Sequence, residues 1–264
     1  MEEIRVLVSG ACGKMGSEVV RAVAASEGVR LVGAVDRSHV GEPIGTVAGT
    51  PDKVLVQGSL KEALDQGGID VVVDFTSHQS IYANAKEVLS YGVPMVIGTT
   101  GFTPEQVEEI REICKKQGTG VLWATNFAIG AILMMRFAGE AAKYFPDVEI
   151  IEYHHDKKLD APSGTSLTTA GIIKEVREAR KQGHPEEKEL ISGARGADVE
   201  GFRIHSVRLP GYVAHQEVIF GGLGQVLTIR HDSLNRESFM PGVILACRRI
   251  VSEKTFIEGL DKIL

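Results

Sequence analysis

The stretch from Ile4 to Gly16 limits the possible folds more than any other part of the chain. Ile4 to Val8 is a short apolar run (IRVLV), followed at once by Ser9-Gly10-Ala11-Cys12-Gly13-Lys14-Met15-Gly16. From about Lys14 to Ala25 the pattern becomes helical. Strand, glycine turn and helix in this order make the setting in which a dinucleotide pyrophosphate rests on a helix N-terminus. The spacing is G-x-x-G-x-x-G, with Cys12 where the common fingerprint has its second glycine. Taken alone, such a motif also describes a simple tight turn. The next strand, Arg30 to Val35, strengthens it by ending in Asp36, about twenty residues beyond the turn, where an acidic side chain takes the ribose hydroxyls. Arg37 follows, and a guanidinium there accepts a 2′-phosphate. Asp36 with Arg37 therefore predicts a site that tolerates both NADH and NADPH.

The α/β alternation continues beyond this unit. Residues 53–56 (KVLV), 70–75 (DVVVDF), 93–97 (VPMVI) and 120–123 read as strands, with helices over 60–66, 79–90 and 104–117. The run 70–75 is nearly continuous in β-branched residues, as expected of a strand buried on both faces of a parallel sheet. A Rossmann-type parallel sheet over residues 1–127 is the expected first domain. Ligands bind outside the carboxyl ends of such strands. Those ends carry Asp74-Phe75-Thr76-Ser77, Gly98-Thr99-Thr100-Gly101 and Ala124-Thr125-Asn126-Phe127. The last two segments are expected to border a nicotinamide, although GTTG also reads as an ordinary polar loop.

The second half has a different texture. A helix is expected from Gly130 to Tyr144, and a strand over 147–154. The stretch Glu149 to Thr165 (EIIEYHHDKKLDAPSGT) then brings together His154, His155, Lys157, Lys158 and Ser163, a plausible N-cap. A helix is predicted over 164–182 and a mobile, polar, Gly-rich loop over 183–201. Three alternating runs, 202–209, 213–220 and 225–231, are punctuated by Pro210-Gly211 and Gly221-Gly222 and read as an antiparallel meander. With strand 147–154 they give an α+β domain over 128–237 built on an open mixed or antiparallel sheet. One face of that sheet is left available as a subunit interface. Helical segments over 238–264 are expected to pack back on the first domain.

Imidazoles, ammonium groups and a helix N-terminus at one strand–turn–helix suit a small substrate that carries carboxylates and must receive a proton. The same residues also read as solvated surface. Zinc is disfavoured, because adjacent histidines on a strand point to opposite faces and no cysteine lies nearby. The net charge of −6 argues against nucleic acid as a partner. Three cysteines without a C-x-x-C pair fit a reducing cytosol, and MEEIRVLVSG has no signal-peptide layout. The longest apolar run, Phe127 to Met135, is too short to span a bilayer. A cytoplasmic protein is the expectation.

The stretch Glu149 to Thr165 resembles the signature of the dihydrodipicolinate reductases of bacterial lysine biosynthesis, E-I-x-E-x-H-H-x-x-K-x-D-x-P-S-G-T, at every fixed position. Ser166 stands where Ala or Gly is usual, and Gln225 where Glu is frequent. The resemblance covers essentially the whole chain. It implies NADH- or NADPH-dependent reduction of 4-hydroxy-tetrahydrodipicolinate, or of the dihydrodipicolinate formed from it by loss of water, to tetrahydrodipicolinate. It further implies His154 as proton donor and Lys158 as second catalytic group. His155, Gly164, Thr165, His231 and Arg236 would contact a dicarboxylate substrate; His231 and Arg236 equally fit interface or cap roles. Cofactor contacts would come from Gly10, Ala11, Cys12, Gly13, Lys14, Met15, Asp36 and Arg37, with Gly98, Thr99, Thr100, Ala124, Thr125, Asn126 and Phe127 around the nicotinamide. No metal is implied, and a homotetramer assembled through the second-domain sheet is. Two readings compete with this one: another two-domain nicotinamide reductase with a different substrate, and a non-catalytic NAD(P)H sensor.

Overall fold

The computed structural model describes residues 3–264. In chain order its elements begin β1 (Ile4–Ser9), α1 (Gly16–Ala25), β2 (Val29–Val35), α2 (Ile44–Ala48), β3 (Val56–Gln57) and α3 (Leu60–Asp65). They continue with β4 (Val71–Asp74), α4 (Ile81–Ser90), β5 (Met95–Ile97), α5 (Pro104–Gln117), β6 (Val121–Trp123) and α6 (Ile129–Ala142). Then come β7 (Asp147–His154), α7 (Gly164–Val176), β8 (Ala197–Val199), β9 (Phe202–Arg208), β10 (Ala214–Gly222) and β11 (Gln225–Ser233). A 3₁₀ turn, Arg236–Phe239, leads to α8 (Met240–Ile250) and β12 (Phe256–Glu258). The chain divides into two compact units: one runs to Ile129 and resumes at Arg236, and the other is Gly130–Asn235.

In the first unit, seven parallel strands lie in the order β12-β6-β5-β4-β1-β2-β3. The order reverses between β1 and β4, which makes their carboxyl ends the ligand-binding crevice. Val71, Val72, Val73 and Asp74 are all fully buried, which accounts for the unbroken apolar run in the sequence. Around them Leu7, Leu89, Ile97 and Ile110 are equally inaccessible and form the core. Helix α5 starts at a complete capping box, Thr103 and Gln106 exchanging bonds, with Pro104 at its first turn.

Two expectations for this unit need correction. Only Val56 and Gln57 form the strand expected over 53–56; Leu55 is 55% exposed and makes a single bridge to Pro43, so this edge of the sheet has no inner face to bury KVLV. The end of the chain is also not wholly helical. Thr255 O accepts from Val121 N–H at 3.1 Å and Gly259 N–H donates to Trp123 O at 2.8 Å, so β12 adds a seventh strand. Phe256 is buried there beneath the Arg111 guanidinium, 4.9 Å from the ring centroid.

The second unit holds a mixed sheet in the order β11-β10-β7-β9-β8. The expected meander is not formed. Strand β7 lies between β9 and β10, parallel to the first and antiparallel to the second, so the sequential runs are not all neighbours. Local alternation shows which face a strand buries but not its partner. Helix α7 stops at Val176, short of the expected 182. Arg177 is extended there (φ −91, ψ 134), and its buried guanidinium donates to Pro146 O at 2.6 Å and Arg180 O at 2.9 Å. The segment expected as a mobile loop is tied down in two ways. Its residues 197–199 pair with β9, and Arg195 bridges Glu149 at 2.5 Å and Glu187.

Candidate active site

The glycine turn after β1 shapes the candidate site of the first unit. Gly10 has φ +78, and a Cβ there would lie 2.6 Å from Phe75 O. A Cβ on Gly16 would lie 1.9 Å from Gly10 O, so α1 can dock on the turn only without side chains at these positions. No side chain caps α1 at Met15; Ser17 N–H donates to Gly13 O at 2.9 Å, and the positive end of the helix dipole faces the turn. A cavity of about 460 Å³ opens beside this turn, lined among others by Gly10, Gly13, Asp36, Arg37, Phe75 and Thr76. These features fit a dinucleotide: bare backbone for the pyrophosphate, a carboxylate for the ribose and a guanidinium beside it.

Asp36 is held in place before any ligand arrives. Its carboxylate accepts from Cys12 N–H at 2.9 Å, Ser38 N–H at 3.0 Å and the Ser38 hydroxyl at 2.8 Å. Burial alone would push its pKa up, but these donors outweigh it and the pKa falls below the usual range. Cys12, in the place of a glycine, directs its thiol to Ser38 O at 3.7 Å, and burial with the nearby Asp36 charge pushes the thiol pKa up. Ala11 is fully buried with its N–H on Val35 O at 3.1 Å, while Lys14 is exposed and Met15 half-buried.

The strand-end segments are linked by a residue the sequence reading did not single out as a site residue. Asp74 is fully buried and accepts from Thr76 N–H at 3.0 Å, Thr76 Oγ1 at 2.7 Å, Thr99 Oγ1 at 3.0 Å and Asn84 Nδ2 at 2.9 Å. It thereby joins the loop after β4 to Gly98-Thr99-Thr100, where Thr100 is exposed. Trp123 Nε1 donates to Thr99 O at 3.0 Å and Ala124 N–H to Ile97 O at 3.0 Å, bringing in the third segment. Phe127 is buried, its ring 6.0 Å from that of Phe75; Thr125 is exposed, and Asn126 accepts from Ala128 N–H at 2.9 Å. Phe75, Thr76, Ser77 and Asn84 line the same cavity; the first three follow the carboxyl end of β4, which was the available signal, while Asn84 lies on α4.

The second unit carries its own candidate site, built on one face of the mixed sheet. Along β7, Val148, Ile150, Glu152 and His154 alternate with Glu149, Ile151 and Tyr153, so the first set shares a face. Glu152 is fully buried and bonds to His154 Nδ1 on one side and to Arg208 Nη2 of β9, at 2.7 Å, on the other. Burial would raise the pKa of Glu152, but the hydrogen bonds from His154 and Arg208 overcome this and hold it at about 2. Gln216 of β10 lies opposite Glu152 in register, and His231 of β11 lies opposite Gln216. His231 is half-buried, and that burial lowers the pKa of its imidazole.

The start of α7 is fixed to the same face. Ser163 caps it, accepting from Ser166 N–H at 3.2 Å. Ser166 Oγ donates to Gln216 Oε1 at 2.8 Å, and Gln216 Nε2 donates to Thr169 Oγ1 at 2.7 Å. Gly164 and Thr165 are thus the first helical residues, at the positive end of the helix dipole. His155 is exposed just past β7, and its carbonyl accepts from Lys158 N–H at 3.2 Å. Lys158 Nζ reaches both Asp160 oxygens at 2.8 Å. His154, Lys158, Gly164, Thr165 and His231 therefore all belong to this unit. Arg236 is exposed on the 3₁₀ turn that opens the returning segment of the other. The sequence reading gave no role to Glu152, a fixed position of the signature, or to Arg208 and Gln216. Glu152 had a signal, two residues before His154 on one strand face, whereas Arg208 had none.

Family models described as dihydrodipicolinate reductase, N-terminus, and dihydrodipicolinate reductase, C-terminus, match residues 4–127 and 130–264. The 4-hydroxy-tetrahydrodipicolinate reductase of Desulfitobacterium hafniense is 55% identical over the full length of both chains. Dipicolinate-bound dihydrodipicolinate reductase from Paenisporosarcina sp. TG-14 superposes with a TM-score of 0.90 at 47% identity, covering 99% of this chain and all of the other. An amine dehydrogenase from Mycobacterium smegmatis, 17% identical with a TM-score of 0.69, shares the fold alone.

Proposed function

The chain belongs to the dihydrodipicolinate reductase family, and from that premise we propose how its residues share the work of reduction. The reaction is the NADH- or NADPH-dependent reduction of 4-hydroxy-tetrahydrodipicolinate, a step of diaminopimelate and lysine biosynthesis. When bound, the reduced nicotinamide supplies the hydride. The observation that carries the assignment of roles is His154 at the end of β7, in the same unit as the Ser163-capped start of α7 and with a buried carboxylate on its Nδ1.

Hydride added to the unsaturated ring leaves an electron pair that a proton must quench, so the product gains one hydride and one proton. His154, with Nδ1 donating to Glu152, holds that proton at Nε2. Lys158 places an ammonium where negative charge develops, with Asp160 as its resting partner. Gly164 and Thr165 receive one substrate carboxylate through backbone N–H groups and the Thr hydroxyl, His155 and His231 add basic groups from the same unit, and Arg236 is a further substrate contact. In the first unit Gly10, Ala11, Cys12, Gly13, Lys14 and Met15 cradle the pyrophosphate. Asp36 takes the ribose hydroxyls, and the segments at Gly98-Thr99-Thr100 and Ala124-Thr125-Asn126-Phe127 border the nicotinamide.

The test follows NADH absorbance while the unstable substrate is made in situ from pyruvate and aspartate semialdehyde by a dihydrodipicolinate synthase. Oxidation that depends on the synthase is expected with either nucleotide. Nucleotide binding without oxidation would favour the sensor reading. Arg37→Ala should raise KM for NADPH by about tenfold, one charge-assisted bond, and leave NADH within about twofold. Equal loss with both nucleotides would remove Arg37 from the 2′-phosphate.

We also propose a cytoplasmic homotetramer that assembles through the mixed sheet. In support, β11 is an edge strand with Val226 70% exposed, and the adjoining turn holds Leu223 fully exposed. All three cysteines are unpaired, and among the described residues no helix is long and apolar enough to cross a membrane. Light scattering should return the mass of four chains, and a monomer mass would remove the assembly.

A further inference from the structure

The two groups to which the signature gives the chemistry, His154 and Lys158, are joined by a short chain of contacts inside one unit. Glu152 bonds His154 through one carboxylate oxygen and Arg208 Nη2 through the other, at 2.7 Å. The same Nη2 donates to Asp160 O at 2.8 Å, and the Asp160 carboxylate holds Lys158 Nζ at 2.8 Å. Glu152 has no solvent exposure and the Arg208 side chain is 19% exposed, so the pair lies beneath the turn rather than on its surface. A buried carboxylate is costly unless its neighbours satisfy it, and these neighbours are the proton donor and the anchor of the turn.

We propose that Glu152 and Arg208 form a positioning pair: Glu152 fixes the ring and tautomer of His154 so that its exchangeable proton sits on Nε2, and Arg208 pins the turn that carries Lys158. Neither residue touches substrate in this scheme. The inference rests on the reading of His154 as the proton donor. The carboxylate acts on His154 as the orienting acid acts on a catalytic histidine elsewhere, by accepting from Nδ1–H and favouring the imidazolium that must donate. Four other charged or titratable groups belong to the same neighbourhood: Arg208 of β9, His231 of β11, and Lys158 and Asp160 of the turn. Glu152 is the carboxylate in direct contact with the His154 ring.

The experiment is the pH profile of kcat for the full-length enzyme, with NADH affinity measured separately by fluorescence. Loss of the carboxylate in Glu152→Gln weakens the hold on the protonated imidazole. The basic limb should therefore move to lower pH by about one unit or more, with kcat at pH 8 down about tenfold or more. NADH affinity should stay within about twofold, a split that general misfolding would not give. Where Glu152→Gln fails to fold, Glu152→Asp carries the test: the shorter side chain keeps the charge but draws it from Nδ1, and the limb should move the same way by less. Arg208→Lys keeps a positive charge but cannot bond Glu152 and Asp160 in the same geometry, so kcat should fall with NADH affinity unchanged. A basic limb that superposes on wild type in the folded Glu152 variants would overturn the role of Glu152, and wild-type kcat in Arg208→Lys would overturn that of Arg208. His154→Gln, run beside them, separates the two failures: full activity there sinks the proton-donor reading itself, whereas lost activity with unmoved Glu152 profiles sinks only the positioning pair.

Discussion

His154→Gln is expected to lower kcat by about 10²–10⁴-fold, the range for a lost general acid, with little change in NADH affinity. The amide keeps the approximate size of the imidazole and can still hydrogen-bond, so the substitution removes the transferable proton more than the packing. It also replaces the Nδ1–H that Glu152 accepts, and the buried carboxylate then relies on Arg208, Ser206 and whatever the amide offers. Some loss of stability should accompany the loss of rate. The two effects separate in measurement, because a destabilised but competent enzyme recovers activity on cooling and one without its acid does not. NADH affinity is the internal control: the residues proposed to hold the nucleotide, Gly10, Gly13 and Asp36, belong to the other unit. A variant that binds NADH normally and turns over at near the wild-type rate would take the proton-donor role from His154.

The nucleotide cradle was legible because its logic is local. A strand, a glycine turn, a helix and an acidic residue at the next strand end are all set within one stretch of chain, so the place of Asp36 beside the turn could be read from spacing alone. Asp74 was visible only as the last residue of an apolar strand. Its bonds to Thr99 and Asn84 depend on β4 lying beside β5 with α4 overhead. The same limit explains the meander. Alternation within 202–209 and 213–220 is the same whether those strands pair with each other or with β7 between them. Arg208 lies furthest from any sequence signal. It meets Glu152 because β7 and β9 run parallel with His154 opposite Arg208, a register that nothing in the local pattern of either strand specifies. The early end of α7 belongs to the same class, since Arg177 leaves the helix to satisfy the carbonyls of Pro146 and Arg180.

Gly16→Val should cost more stability than a substitution anywhere else in the nucleotide turn. A Cβ at this position falls 1.9 Å from Gly10 O and 2.9 Å from Ala11 Cα, both backbone atoms that cannot rotate away. Gly10 is itself held, because its N–H donates to Val35 O at 2.8 Å and even a Cβ on it would lie 2.6 Å from Phe75 O. Relief must therefore come from α1 lifting off β1, which would expose Val19, Val20 and Val23, all buried now. Overpacking against fixed backbone places the loss at about 3 kcal/mol or more, or a fall in Tm of roughly 6–12 °C for a chain of this size. NADH affinity should fall with it, since the N-terminus of α1 moves with the helix. Gly13→Ala makes the contrast. A Cβ there meets only Gly10 O, at 3.2 Å, so the fold should be nearly unchanged, while the added methyl stands where the pyrophosphate approaches the backbone. Thermal unfolding and NADH titration of both variants should therefore separate a glycine needed for helix packing from one needed by the ligand. If Gly16→Val melts with the wild type, α1 does not depend on this contact, and the close docking of helix on turn is not what holds the cradle in shape.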